Sequence, residues 1–287
     1  MYASYSVLIR TFNSEITLND CLAGVYAQTR QPEQVLVVDS GSTDRTLSIA
    51  SSFPVIIHEL NRLEEFNYSR SLNSGLNLLA SNYTLIISSH TVLLGSEVVD
   101  QMISRLESNQ LFIGAYVVPD SYANSKQVDC VCINRHNFNG WNGLWNTCSL
   151  INRSYWTRYP FSEDVWAAED QHWAAVWFQF NHALSTLRFE GLAVVNLNPR
   201  IRYSWKHCSE YVSIAINSFP QGHPITNELS AIGVSLFKRI RQGIPIRGNL
   251  RFLCALCLVL HRLKVLRFAS CYHSGPPKLI RWLFTDA

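Results

Sequence analysis

At 287 residues, 47% of them apolar, the chain can bury a full core, which excludes a disordered or low-complexity polypeptide. The net charge of +3 hides an asymmetry: residues 229–285 hold ten Lys or Arg and no acid, while residues 1–228 carry 14 basic against 20 acidic residues. A basic, apolar C-terminal stretch suits anionic lipid or an anionic acceptor; a nucleic-acid binder would want the basic stripe within its folded core, so no nucleic acid is expected.

The first predicted strand, residues 6–10, ends in Arg10-Thr11-Phe12-Asn13. A helix over 14–28 follows, with Leu18, Cys21, Leu22, Val25 and Tyr26 at helical spacing and Pro32 beyond its end. Residues 35–38 form a wholly apolar strand closed by the polar loop from Asp39 to Asp44, and a short helix leads to a third strand at 55–57. A helix over 69–80 precedes a fourth buried strand, 84–87, which ends at Ser88-Ser89-His90. A helix over 96–108 and a strand over 112–118 complete an α/β alternation, the pattern of a mostly parallel sheet wrapped by helices. Residues 120–160, rich in Asn, Trp and Tyr, read as a polar, aromatic cleft wall. A helix resumes over 169–180, and from about Leu229 the chain reads as helical, basic and apolar. Residues 1–210 are therefore one α/β domain with halves at about 1–118 and 119–210, and residues 211–287 are a helical extension.

The eight cysteines are scattered, with no paired CxxC knuckles, and Cys254 and Cys257 read as buried thiols in an apolar run. Residues 1–10 lack a basic stretch followed by an apolar one, so no secretion signal is expected and a cytoplasmic setting fits. The run from Lys238 to Arg267 interleaves basic and apolar residues, a pattern for lying in a membrane interface or for packing on the domain.

In an open parallel sheet, ligands bind beyond the carboxyl ends of the strands, which singles out Thr11, Phe12 and Asn13, Asp39, and Ser88 to His90. Asp39 suits a base or ribose hydroxyl, or the capping of its own turn. Neither GxGxxG nor GxxxxGK[ST] occurs, against a dinucleotide enzyme and a P-loop NTPase.

The run SVLIRTFNSEITLNDCLAGVYAQTRQPEQVLVVDSGSTDRTL resembles the opening of family 2 glycosyltransferases, which have the GT-A fold; the likeness continues through Phe66 to Gly75, Pro160 to Glu163 and Ala168-Glu169-Asp170. The resemblance implies an inverting transfer of a sugar from a nucleotide-diphosphate sugar to a hydroxyl, in surface polysaccharide or glycolipid assembly. It implies that residues 1–118 bind the nucleotide sugar, with Thr11, Phe12 and Asp39 at the nucleoside, Arg70 and Asn73 near the diphosphate, and Asn13 and Ser89 also among the nucleotide-sugar contacts, and that 119–210 face a glycan or lipid-linked acceptor. The family's D-x-D, which binds a divalent cation, falls on Ser88-Ser89-His90. His90 is then a ligand suited to Mn2+ more than Mg2+, a direct phosphate contact or a loop cap, with His207 a candidate second ligand. Asp170, beside Glu169, is the expected base, with Glu163-Asp164 as the rival pair. Trp141, Trp145, Trp166 and Trp173 suit an acceptor platform or plain packing. Two other classes compete: a non-catalytic nucleotide- or glycan-binding module, favoured by the missing D-x-D carboxylates, and a nucleotidyltransferase, which would want a Gly-rich basic loop after the first strand.

Overall fold

A computed structural model describes residues 3–60, 66–125 and 127–198, together with 210, 213, 214, 217, 240 and 241. In chain order it forms β1 (Tyr5–Thr11), α1 (Leu18–Tyr26), β2 (Val35–Asp39), α2 (Thr46–Ala50), β3 (Ile56–Glu59), α3 (Tyr68–Leu76), β4 (Tyr83–Ser88), β5 (Thr91–Leu93), α4 (Val98–Glu107) and β6 (Phe112–Val117). A 3-10 turn at Ser121–Asn124 is followed by β7 (Asp129–Ile133), β8 (Cys148–Asn152), α5 (Arg153–Arg158), α6 (Glu169–Phe180), β9 (Ser185–Glu190) and β10 (Val194–Asn196). The predicted helical extension beyond 210 lies almost wholly outside the described residues.

The expected α/β architecture is present. The main sheet has the order β3-β2-β1-β4-β8-β6-β9-β7, and β10 pairs with β5 in a small second sheet. β1 lies parallel to β2 and β4, β2 to β3 and β6 to β9, whereas β8 runs antiparallel to both β4 and β6, and β7 antiparallel to β9.

Alternation along β1 divides the core. Val7 and Ile9 pack with Val37, Leu85 and Ile87 under α1 and α4, while Leu8 packs with Leu36, Val38 and Ile86 under α3 and α6, against Leu72, Leu76, Trp173, Trp177 and Phe178. All these strand residues are buried, which is why each strand reads as a continuous apolar run.

The helix expected over 14–28 starts only at Leu18. Ser14 N donates to Thr46 Oγ1 at 2.7 Å and Glu15 N to Asp44 Oδ2 at 3.1 Å, while Ser14 O accepts Leu18 N at 2.9 Å, so residues 14–17 form a turn tied to the loop after β2 that leads into the helix. The helix expected over 69–80 likewise ends at Leu76. Within the region expected as cleft wall, β7, β8 and α5 are regular elements too short and too mixed in polarity to show a period.

One close approach locks α1 against β5. A Cβ at Gly24 would lie 2.7 Å from the Leu93 carbonyl oxygen, a backbone atom that cannot swing away. Gly24→Ala is therefore expected to destabilise the protein by about 1–3 kcal/mol, read as a lower denaturation midpoint, where an uncongested helical Gly→Ala would raise it.

Candidate active site

Short polar side chains bind the ends of β1 and β2 to each other. Asn13 takes the left-handed conformation at φ 47°. Its N–H donates to Ser42 Oγ at 2.9 Å, and its Oδ1 accepts from Thr43 N at 2.9 Å. Asp39 is fully buried: Oδ2 accepts the N–H groups of Gly41 and Ser42, both at 2.8 Å, and Oδ1 accepts the Ser42 hydroxyl. Its described contacts are those of the turn-capping alternative. Beside this turn Thr11 is buried with no partner for Oγ1 among the described residues, while Phe12 is 58% exposed at the mouth.

On the other face, α3 is capped by Asn67, whose side chain accepts from Arg70 N at 2.9 Å and donates to Glu163 O at 2.8 Å. Arg70 Nε lies 3.3 Å from Glu163 Oε2. Asn73, expected near the diphosphate, has its amide taken up within the protein. Its Nδ2 donates to Phe161 O at 2.8 Å and Glu163 Oε1 at 3.3 Å, and its Oδ1 accepts from Trp156 Nε1 at 3.1 Å and Phe161 N at 3.2 Å. Two donors and two lone pairs are the full capacity of an amide, so Asn73 is a clamp between α3 and the 161–163 turn.

Ser89, just past β4, shares a hydroxyl hydrogen bond of 2.8 Å with Ser14 and donates its N–H to Arg10 O at 3.2 Å. The carbonyl of His90 accepts Leu197 N at 2.8 Å. His207 lies outside the described residues. Among the described residues no three His, Cys, Asp or Glu side chains converge. A hard divalent cation wants anionic oxygens, and the strand end offers two serines and an imidazole, one hydroxyl already committed to Ser14. These residues do not fit such an ion.

Glu169 and Asp170 open α6 directly after Ala168, a non-glycine residue at φ 57° that costs about 1–2 kcal/mol. Asp170 Oδ2 accepts from Asn146 N at 3.0 Å and Oδ1 from Gln171 N at 2.8 Å. Asn146 Nδ2 donates to Glu169 Oε1 at 3.2 Å, and Asn146 Oδ1 accepts from Ser149 Oγ at 2.8 Å. Gln171 completes the seam: its Oε1 accepts Gly143 N at 2.8 Å and its Nε2 donates to Leu144 O. Burial, then the charge of Glu169, push Asp170 up to about 7 against those two N–H groups, and Glu210 adds to the rise. Asn146 and Gln171 escape sequence reading, since neither belongs to a motif and each is defined by what it touches.

Of the four tryptophans, Trp173 is fully buried in the core and is no platform. Trp145 is half-buried, its ring tilted at 33° against Tyr116 with centroids 5.5 Å apart, and it is next in sequence to Asn146. Trp141 and Trp166 are half-buried. Glu163, rival to the base, is the counter-ion of Arg70.

The sequence profile described as "Glycosyl transferase family 2" matches residues 6–172, more than half of the chain. The chain belongs to glycosyl transferase family 2. The chain is 31% identical over 86 residues to "Glycosyltransferase GlyA" of Streptococcus pneumoniae serotype 4, a stretch covering 29% of the chain and 12% of that protein. Its fold is similar to the mannosyltransferase PcManGT from Pyrobaculum calidifontis in complex with GDP-Man and Mn2+: TM-score 0.60 and 16% identity, over 94% of this chain and 77% of that one. It is also similar to S. aureus TarS, with a TM-score of 0.55 and 18% identity over 74% of this chain and 39% of that one. A third similar fold is glucosyl-3-phosphoglycerate synthase from Mycobacterium tuberculosis with Mn2+, UDP and phosphoglyceric acid, at TM-score 0.57 and 14% identity over 74% and 76%.

The native state of the glycosyltransferase favours a protonated Asp170, so between about pH 4 and 7 it holds a proton that the unfolded chain has released. Stability from this group therefore falls as pH rises through that window. Asp170→Asn, which cannot ionise, is expected to gain in melting temperature relative to wild type as pH goes from 4.5 to 8, as measured by thermal denaturation across pH.

Proposed function

We propose that the enzyme transfers a sugar, with inversion, from a nucleotide-diphosphate sugar to a hydroxyl of a surface glycan or lipid-linked acceptor, with Asp170 as the base. The observation that carries this reading is the placement of Asp170: a carboxylate at about 7, at the head of α6, beyond the carboxyl ends of the parallel strands. A base poised near the working pH is the one most able to take a hydroxyl proton.

The acceptor hydroxyl donates to Asp170, its oxygen forms the new bond at the anomeric carbon, and the bond to the diphosphate oxygen breaks with its electron pair leaving on the nucleotide. Asn146 and Gln171 hold the carboxylate through their N–H groups, and Glu169 raises its proton affinity. Thr11, Phe12 and Asn13, with the turn built by Asp39, face the nucleoside, and Arg70 and Ser89 lie toward the diphosphate. Half-buried Trp145 offers the acceptor sugar a ring beside the base. Solved structures of S. aureus TarS in complex with UDP-GlcNAc and with UDP support a nucleotide-sugar donor. In glycosyltransferases with a D-x-D, a divalent cation neutralises the leaving diphosphate; no step here is assigned to one.

Asp170→Asn is expected to lower acceptor-dependent kcat by about 10²- to 10⁴-fold while donor affinity stays near wild type. In the wild type, log kcat is expected to rise by one per pH unit below about 7 and level off above it. Near-full transfer by the variant removes Asp170 from the mechanism.

We also propose a cytoplasmic enzyme that touches the membrane surface through the basic residues between Lys238 and Arg267. No described helix is long and apolar enough to cross a membrane. Co-flotation with vesicles containing anionic lipid, lost at high salt and absent with neutral vesicles, is the expected result; no flotation excludes the contact.

A further inference from the structure

We propose that Arg10 supplies the positive charge that receives the donor's diphosphate, at the strand end where relatives with a D-x-D hold a cation. The proposal rests on the glycosyltransferase reading above, and its test is a binding measurement that does not depend on the identity of the base.

Placement comes first. Arg10 stands opposite Val38 of β2 and Ser88 of β4, at the carboxyl end of the sheet, and its carbonyl receives the N–H of Ser89. Two residues on from Leu8, it shares the sheet face covered by α3 and α6, the face from which Asp170 approaches. A diphosphate that links a nucleoside near Thr11 to a sugar before Asp170 has to pass along this edge.

The guanidinium is held by a ring, and no described carboxylate neutralises it. Its Cζ lies 4.7 Å from the ring centroid of Tyr68, the first residue of α3, and Phe66 packs edge-on against Tyr68 at 4.8 Å. Nη1 is out of water and has no hydrogen-bond partner among the described residues. Arg30, Arg45, Arg70 and Arg188 each lie within 3.3 Å of a carboxylate oxygen, yet no described carboxylate pairs with Arg10. Withdrawing an unpaired cation from water is costly, and an anion bound there offsets the cost.

The charge at this edge is inverted relative to a D-x-D enzyme. There, two carboxylates need a divalent cation before a diphosphate can approach. Here Ser88, Ser89 and His90 bring no carboxylate, and Arg10 brings a fork of donors matched to phosphate oxygens.

The experiment is calorimetric titration of the full chain, in excess EDTA, with UDP, uridine, GDP and guanosine. Wild type is expected to bind one diphosphate at least tenfold tighter than its nucleoside. Arg10→Met is expected to erase that preference while leaving nucleoside affinity unchanged, with Arg10→Lys keeping part of it. Circular dichroism checks the fold of each variant, and Arg10→Gln provides the same comparison if the Met variant does not fold. The proposal is overturned if Arg10→Met or Arg10→Gln keeps the full preference, or if wild type gains it only when Mn2+ or Mg2+ is restored. Wild type that binds none of the four overturns the donor reading together with this one. Asp170→Asn run in parallel separates the two claims, because its preference for the diphosphate is expected to be intact whatever its rate of transfer.

Discussion

Two carboxyl groups stand side by side at the head of α6, Glu169 buried and Asp170 half-buried, and the loop before β8 is arranged around the cost of holding both. Adjacent carboxylates in a poorly solvated site do not both ionise easily, and the fold answers by giving each a fixed donor from the same residue, Asn146. Asn146 reaches them because β8 is antiparallel. Cys148 pairs with Ile87 and Asn152 with Tyr83, so the start of β8 lies at the carboxyl end of β4, and Ser88 N donates to Thr147 O at 3.1 Å. A parallel strand in this slot would enter from the far edge of the sheet, leaving the carboxylates without these donors. The reversal of one strand thus brings the loop carrying Asn146 to the carboxyl end of β4.

The ends of β1 and β2, the proposed nucleotide side, are built on a different principle. Asn13, Asp39, Ser42, Asp44 and Thr46 form a mesh of short hydrogen bonds between two loops, which holds the sheet edge in shape before any ligand arrives. Such preorganisation lets a bound nucleotide meet donors that are already oriented. Across the strands, Asn73 and Asn67 fasten α3 to the 161–163 turn and so place Arg70 beside Glu163. Residues that resemble ligand contacts in a motif serve here as struts for the loops around a ligand. Arg10 lies over Tyr68 on the α3 face, Arg70 is paired there with Glu163, and a second pair of carboxyl groups gathers at the head of α6.

The family, the α/β alternation and the positions of β1, β2, β4, β6 and α6 were legible in the amino-acid sequence, because fully buried strands and a two-sided core impose apolar runs that survive in one dimension. So was the candidacy of Glu169 and Asp170, since adjacent acids at a helix start are visible as letters. The true start of α1 was not legible: residues 14–17 form a turn that Thr46 and Asp44, about thirty positions away, tie to the loop after β2. Nor were the reversal of β8, the burial of Trp173 or the full occupation of the Asn73 amide. What the sequence determined by itself is the set of chemical groups and the architecture that carries them. The tertiary structure alone decided which of those groups are already satisfied, which have no partner among the described residues, and how far Asp170 is pushed toward neutrality. Each of these depends on distances between residues far apart in the chain, and on the exclusion of water, neither of which a residue type encodes.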